Sequence, residues 1–136
     1  MQQLETLFLN DISRIAVDRD SKLMANTWLR PFTHQEMLQT SERLYHFMQE
    51  TKCDKLLLNA LQAGTLQSET KEWLSTTFYK SLSELELQKL ARVLPSNLFN
   101  RLSFEAVLTR AEALGGVHFE VSNFTSDQAA MKWLRD

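Results

Sequence analysis

Two strand–loop–helix units follow each other in the middle of the chain at the spacing of a parallel βαβ fold. The first runs from an apolar strand, Lys55–Asn59, through a loop with Gly64 to a helix that begins near Ser68. The second runs from a strand over residues 89–94 to a helix that begins at Ser103. Because a helix returns the chain to the same end of the sheet, strands connected in this way lie parallel. Ligand and partner sites of such sheets lie just beyond the carboxyl ends of the strands.

The segments on either side of these units complete a mixed α/β pattern. Residues 12–17 and 23–29 predict two strands joined by a polar turn, which form an N-terminal β-hairpin. A helix is predicted over residues 34–51, a strand over residues 117–121, and a closing helix after a capping-box candidate at residues 125–128. The expected fold class is therefore α/β, a mixed sheet of five or six strands with an N-terminal β-hairpin and about four helices. Without a linker or a repeat, all 136 residues are expected to form a single domain.

Capping residues predict where the helices begin and end. Thr33 and Glu36 have the spacing of a capping box at the start of the first helix. Ser68 and Ser103 are the predicted amino-terminal caps of the next two helices, and Gly115 is the predicted carboxyl cap of the later one. The continuous apolar run in the strand of the first βαβ unit predicts a central strand that is covered on both faces.

Composition and charge exclude several classes of function. The chain is 43% hydrophobic and 24% charged, and no apolar run approaches the roughly 20 residues of a membrane span. The net charge of -2 and the scattered basic residues lack the electrostatic footprint of a nucleic-acid-binding protein. Residues 1–5 lack the features of a secretory signal, and the single cysteine, Cys53, allows no intrachain disulfide. We therefore expect a cytoplasmic protein with no membrane span and no nucleic-acid partner.

No catalytic or cofactor-binding motif occurs in the sequence. Its only glycines, Gly64, Gly115 and Gly116, cannot build a Walker-type phosphate loop or a dinucleotide-binding turn. The three histidines lie in different predicted elements, and neither His-x-x-x-His nor Cys-x-x-Cys spacing occurs, which argues against a metal site. Cys53 is interpreted as a buried or loop cysteine, since a nucleophile needs an adjacent histidine. We expect no catalytic residue, no metal and no cofactor, and hence a protein that is not an enzyme.

A set of mainly structural residues, spread from about residue 7 to residue 134, carries a family resemblance. The set consists of Trp28, Phe32, Leu56, Leu57, Leu58, Ser68, Glu72, Trp73, Leu74, Val93, Leu94, Pro95, Phe99, Ser103, Phe104, Glu105, Phe124, Ala130, Trp133 and Leu134. With the order of elements, these residues resemble the STAS/SpoIIAA-like superfamily, and most closely its small single-domain bacterial proteins of unknown function. The resemblance implies a SpoIIAA/STAS-like fold and a regulatory role without catalysis.

One functional motif of that superfamily is missing from the chain. Antagonists of anti-sigma factors carry an Asp-Ser type loop after the central strand, in which a Ser or Thr is phosphorylated. The corresponding residues 59–68 contain no Asp-Ser pair. We therefore expect no phosphorylation switch here, and Ser68 is interpreted as a helix cap.

A ligand or partner site, if the chain has one, is expected beyond the carboxyl ends of the two central strands. Loops that leave adjacent parallel strands diverge there, and the amino termini of helices direct their N–H groups into the gap. Trp28 and Trp73 are interpreted as core residues, with a ligand wall as the alternative. The predicted site residues are Asn59, Gln62, Ser68, Glu72, Trp73, Ser96 and Asn97, next to Pro95. The alternative is that there is no site and that these residues only cap helices and end strands.

Three classes of function remain open from the sequence, and the third, a hydrolase or transferase, requires carboxylates with shifted pKa values that converge in one cleft. The leading hypothesis is a non-catalytic STAS-like domain for cytoplasmic regulation or protein–protein interaction, with a protein partner or a second copy of the chain in a homodimer. The alternative is a carrier or sensor of a small apolar or lipid-like ligand. A deep apolar pocket favours the carrier, whereas a flat apolar patch favours interaction. Arg92, a charge within an apolar strand, is interpreted as a snorkelling side chain or a member of an ion pair.

Overall fold

The structure, a computed structural model, describes residues 4–136. Residues 1–5 were expected to lack a secretory signal, and the first three of them lie outside the described residues. A π-helical turn, Leu74–Phe78, joins two short helices into one continuous helix. The elements in chain order are β1 (Glu5–Leu9), β2 (Ser13–Asp18), β3 (Leu23–Trp28), α1 (His34–Thr51), β4 (Lys55–Asn59), α2 (Ser68–Trp73), the π-helical turn, α3 (Tyr79–Ser83), β5 (Lys89–Val93), α4 (Leu98–Ala113), β6 (Glu120–Phe124) and α5 (Asp127–Arg135).

The strands form one six-stranded sheet in the order β1-β2-β3-β4-β5-β6. β2 pairs antiparallel with both β1 and β3, whereas β3, β4, β5 and β6 pair parallel. Because parallel crossovers are right-handed and each new strand is added on the same side, the connecting helices α1, α2–α3 and α4 cover one face. We call it the three-helix face; the other is the α5 face, covered by α5. The predicted α/β class, with a mixed sheet and an N-terminal β-hairpin, is confirmed.

The prediction of a doubly covered central strand is also confirmed. In β4, which lies between β3 and β5, Leu56 is fully buried in the core of the three-helix face. The next residue, Leu57, is 1% exposed and lies in the core of the α5 face. Consecutive side chains of a strand point to opposite faces, so an unbroken apolar run is the pattern that two covered faces require.

The start of α1 has the predicted capping box. The hydroxyl of Thr33 accepts from the backbone N–H of Glu36 at 3.1 Å, and the carboxylate of Glu36 accepts from the backbone N–H of Thr33 at 2.9 Å. Two N–H groups that the helix itself leaves without acceptors are thereby satisfied.

Two other predicted amino-terminal caps are wrong. Ser68 is the first residue of α2, and the capping position belongs to Gln67, whose side chain makes no capping hydrogen bond. Ser103 lies inside α4, where its hydroxyl donates to the carbonyl of Phe99 at 3.4 Å. The cap of α4 is Asn97, whose Oδ1 accepts from a backbone N–H of the first turn at 3.1 Å. A serine inside a helix can bond the carbonyl four residues back, so serine alone does not mark a helix start.

The last strand begins later than its alternating pattern predicts. β6 starts at Glu120, three residues after the predicted start at Val117. Val117 and Phe119 pack against the core of the three-helix face before the strand begins. The alternating pattern therefore reflects packing against the core and not strand pairing. Sheet pairing starts at Glu120, whose N–H donates at 3.0 Å to the carbonyl of Gln88, the residue before β5.

The predicted carboxyl cap of α4 is confirmed, whereas the predicted capping box of α5 is wrong. Gly115 has a φ of +77°, and the N–H groups of Gly115 and Gly116 each donate to a carbonyl of the last turn at 3.0 Å. This is the Schellman arrangement, in which glycine adopts the left-handed conformation without strain. For α5 the cap is Ser126 and not Thr125, because the Ser126 hydroxyl accepts from the N–H of Ala129 at 3.2 Å.

Candidate functional site

Four side chains from neighbouring strands form one row across the three-helix face. Asn26 of β3, Leu58 of β4, Arg92 of β5 and Asn123 of β6 occupy successive positions of the paired register. Adjacent strands are about 4.8 Å apart, so the backbones of Asn26 and Arg92 are separated by roughly 10 Å, with Leu58 between them. The sheet therefore places an amide and a guanidinium on the same covered face.

This row borders a cavity between the sheet and the helices of the three-helix face, which we call the inner cavity. Its volume is about 40 Å³, more than one buried water needs and much less than a drug-sized ligand needs. Trp28 at the end of β3, Ala60 after β4 and Leu94 after β5 line it, so it lies toward the carboxyl ends of the central strands. Its remaining apolar wall includes Met37, Leu44, Leu58, Leu74, Phe78 and Phe104.

Arg92 is a buried cation that has no counter-ion among the described residues. It is 2% exposed, and its Nη1 donates to the carbonyl of Phe104 at 2.8 Å and to the hydroxyl of Tyr79 at 3.0 Å. Its Nε donates to Oδ1 of Asn123 at 2.9 Å. Within residues 4–136 its Nη2 has no hydrogen-bond partner and no carboxylate lies within salt-bridge distance. The interpretation of Arg92 as a snorkelling side chain or a member of an ion pair is therefore wrong.

Two further polar groups in the wall of the inner cavity form fewer hydrogen bonds than their atoms allow. Asn26 is 2% exposed, and its Oδ1 has no hydrogen-bond partner in the described part of the chain. The oxygen of Tyr79 accepts from Arg92, and its own O–H donates to no other group of residues 4–136. Buried polar groups of proteins are nearly always hydrogen-bonded. Three such groups around one cavity can together bind a small polar group that the chain itself does not supply.

A larger depression, which we call the outer groove, lies between α1 and the α2–α3 helix. Its volume is about 320 Å³, and its lining includes Leu38, Tyr45, Trp73 and Leu82. Ser41 and Phe78 line both the outer groove and the inner cavity, so these two side chains form the partition between them. The Phe78 ring lies 5.8 Å from that of Trp73 and 5.4 Å from that of Tyr79, centroid to centroid.

Phe78, one of the two residues of the partition, lies where the helix departs from the α-helical hydrogen-bond pattern. Phe78 is the last residue of the π-helical turn and is 8% exposed. A π-helical turn inserts a residue into the α-helical hydrogen-bond pattern and occurs frequently at functional sites. Here it brings Leu74, Phe78 and Tyr79 to the wall of the inner cavity.

The predicted site residues on the loops do not meet in one pocket. Asn59 is directed toward α5, where its Nδ2 donates to Oδ1 of Asp127 at 2.8 Å. Asn97 caps α4, as described above, and Gln62 is exposed in the loop after β4. Ser96 is exposed next to Pro95 and borders a surface groove of about 410 Å³ near β6.

The predicted residues of α2 lie on two different sides of that helix. Ser68 and Glu72 border a small groove toward α4, in which Glu72 forms an ion pair with Arg110. Trp73 contributes to the outer groove and packs against the core of the three-helix face. None of the seven residues lines the inner cavity, although that cavity lies toward the carboxyl ends of the central strands, close to the predicted location. Whether any of the seven contacts a partner stays a prediction.

The single cysteine of the chain lies in a buried environment. Cys53 is 2% exposed, and burial raises the pKa of its thiol, which disfavours the nucleophilic thiolate. Its Sγ accepts a hydrogen bond from the hydroxyl of Thr51 at 3.2 Å. No cluster of three or more His, Cys, Asp or Glu side chains in residues 4–136 is placed to bind a metal ion. Over the same residues, no helix has the length and apolar character needed to cross a membrane.

Comparison of the chain with protein-family models, with curated proteins and with solved structures gave no match. The resemblance to the STAS/SpoIIAA-like superfamily therefore stays a prediction from the residues quoted above. The function has to be inferred from the chemistry of the inner cavity and its surroundings.

Proposed function

We propose that this protein is a non-catalytic binding domain, a carrier or sensor of a small, mainly apolar ligand whose polar group lies in the inner cavity. One observation carries the proposal: Arg92 and Asn26, which line a mainly apolar cavity, each have a buried polar atom without a partner among residues 4–136. An uncompensated buried charge costs several kcal/mol. Such a cost is typical of functional sites, where a ligand completes what the chain leaves unsatisfied.

The proposal adopts the carrier alternative that the sequence leaves open and makes it more specific. An apolar cavity between a sheet and its helices is the feature expected of a carrier. A domain that senses a ligand also suits the regulatory role implied by the STAS-like resemblance. We propose a cytoplasmic location, because the single cysteine is a free, buried thiol, as is usual in a reducing compartment.

A second candidate function, protein–protein interaction, is supported by one surface patch. Leu98, Phe99 and Leu102, in the first turns of α4, are 59%, 70% and 53% exposed. Residues one turn apart on a helix are neighbours, so the three side chains form one apolar patch. If a second copy of the chain covers it, sedimentation should show a dimer at high concentration that Phe99→Ser converts to a monomer. A wild-type monomer at all concentrations contradicts this candidate.

The binding function is tested by native mass spectrometry of the protein purified from its own cells. We expect the native mass to exceed the mass of the denatured chain by one small molecule. Ser41→Leu places a larger apolar side chain in the partition and should remove this difference. Gln39→Leu, at an exposed position of the same helix, is the matched control and should retain it. Identical native and denatured masses of the wild-type protein contradict the proposed function.

A further inference from the structure

We propose that the ligand is a monocarboxylic acid, whose carboxylate contacts Arg92 in the inner cavity and whose apolar body passes Phe78 into the outer groove. This inference rests on the proposed function and names the chemical class of its ligand. It follows from the charge of the inner cavity, from the donors around it, and from the size and lining of the two compartments.

The charge of the inner cavity requires an anion. A guanidinium keeps its proton in proteins, and the three partners of Arg92 are a hydroxyl, a backbone carbonyl and an amide, all of them neutral. A neutral ligand group, such as an alcohol, satisfies the unpartnered Nη2 but leaves the charge without compensation. A carboxylate provides both the acceptor and the counter-charge, and hydrogen bonds between charged groups are about twice as strong as neutral ones. Since Arg92 is the one cation that residues 4–136 place in the wall of this cavity, a singly charged head group matches it.

The neighbouring polar groups match the two oxygens of a carboxylate. One oxygen can accept from Nη2 of Arg92, and the other can accept from the available O–H of Tyr79. Asn26 presents an amide, which offers either its oxygen or its NH2 group after rotation about χ2. A carboxylate has about four acceptor positions, enough for these three donors.

The sizes of the two compartments indicate how the rest of the ligand is held. The inner cavity, at about 40 Å³, accommodates a head group but not a hydrocarbon chain or a ring as well. The outer groove, at about 320 Å³, is large enough for an apolar body, and Leu38, Trp73 and Leu82 give it an apolar wall. Phe78 separates the two, so its ring must rotate or shift when such a ligand binds.

The charges of the two compartments determine the orientation of the ligand. The charged residue that lines the outer groove is Glu42, whereas the charged residue that lines the inner cavity is Arg92. An acid is repelled by the first and attracted by the second. Its carboxylate is therefore expected inside, with the apolar body directed outward.

The inference is tested by calorimetric titration with three probes, octanoate, octan-1-ol and acetate, at constant ionic strength. We expect octanoate to bind at least about tenfold more tightly than octan-1-ol, which corresponds to the strength of one charge-assisted hydrogen bond. Acetate has the head group without the body and should bind at least about tenfold more weakly than octanoate. Arg92→Met should abolish the preference for the acid, and Arg92→Lys, which keeps the charge, should retain part of it. The matched control, Arg19→Met at an exposed position, should behave as the wild type.

Each alternative result has a distinct meaning. If octan-1-ol binds wild-type protein as tightly as octanoate, the acid head group is wrong and the proposed binding function stands. If acetate binds as tightly as octanoate, the site holds a small anion only and the role of the outer groove is wrong. If Arg92→Met keeps the preference, Arg92 is not the anion-binding residue; should this variant not fold, the wild-type preference and Arg92→Lys decide. Failure of all three probes together with the absence of a retained ligand contradicts the proposed function itself.

The role of Phe78 has its own measurement. Phe78→Leu keeps an apolar side chain but removes the aromatic ring from the partition. We expect octanoate to associate several-fold faster with this variant in stopped-flow experiments, because the partition no longer limits access to Arg92. An unchanged association rate overturns the path past Phe78.

Discussion

The two faces of the sheet differ in whether their buried polar groups are hydrogen-bonded. On the α5 face, Asn59 donates to Asp127 at 2.8 Å, and Asp18 accepts from Arg135 at 3.0 Å. On the three-helix face, Arg92 and Asn26 have polar atoms without partners in the described residues. The polar groups of the α5 face join the sheet to its helix and are structural. Those of the three-helix face lie around a cavity, which is the arrangement of a binding site.

The apolar side chains of the two faces also differ in how closely they pack. The α5 face contains small side chains, Ala25, Ala91 and Ala130, in its core, and these allow α5 to approach the sheet closely. The three-helix face is covered by larger side chains from three separate helices, which leave the inner cavity between them. One helix packs directly on the small side chains of the α5 face, whereas the helices of the three-helix face, with their π-helical turn, leave a cavity against the sheet.

The largest effect is expected from adjacent leucines of β4 that face opposite sides. Leu57→Ala should lower the free energy of unfolding by about 3 kcal/mol, because Leu57 is 1% exposed in a closed core. Leu58→Ala should cost about 1 kcal/mol, because Leu58 is only partly buried and borders an existing cavity. Urea denaturation measures both values. Equal losses would show that the two faces are packed equally well.

The next largest difference in stability is expected between substitutions of one asparagine on each face. Asn59→Leu removes two hydrogen bonds on the α5 face and should lower the free energy of unfolding by about 2 kcal/mol. Asn26→Leu replaces a buried amide whose oxygen has no partner, so its stability should stay within about 0.5 kcal/mol of the wild type or increase. The same denaturation experiment applies. A loss of similar size for Asn26→Leu would mean that this amide is already satisfied in the folded protein.

The smallest effect concerns the dependence of stability on pH at the α5 face. Hydrogen bonds from Ser21 and Arg135 hold the pKa of Asp18 below its usual value. The unfolded chain therefore binds the proton more readily, and the stabilisation from Asp18 is present at neutral pH and is lost as the pH falls below about 4. Asp18→Asn should reduce the loss of stability between neutral and acidic pH, measured by thermal unfolding. Asp20→Asn, next to it in the turn, is the control; equal effects of the two variants would contradict a specific role for Asp18.

Local patterns predicted the features of the fold that depend on neighbouring residues. The capping box at Thr33 and the glycine cap at Gly115 were correct, because their hydrogen bonds connect residues a few positions apart. The start of β6 was wrong, because pairing depends on β5, about thirty residues earlier in the chain. The caps at Ser68 and Ser103 were wrong, because serine also fits the first helical residue, as at Ser68, and the interior of a helix, as at Ser103.

The inner cavity lies close to the location predicted for a site, but none of the seven predicted residues lines it, and their role stays a prediction. Topology places sites beyond the carboxyl ends of parallel strands, and the inner cavity lies toward that end. The loop residues selected for their polarity cap helices, bond α5 or remain exposed. The informative residue was Arg92, a charge inside an apolar strand, and Asn26 carried a weaker signal as a polar residue in a strand with bulky side chains on both faces.

The sequence by itself determined the α/β class, the N-terminal hairpin and a central strand buried on both faces, because hydrophobic periodicity records which side chains are covered. Only the tertiary structure decided that Arg92 has neutral partners alone and shares a cavity with Asn26. Those partners come from β6, α3 and α4, and Asn26 lies two strands away in the sheet. Periodicity reports that a residue is buried, but the groups that surround it are brought together by the packing of elements distant in the chain.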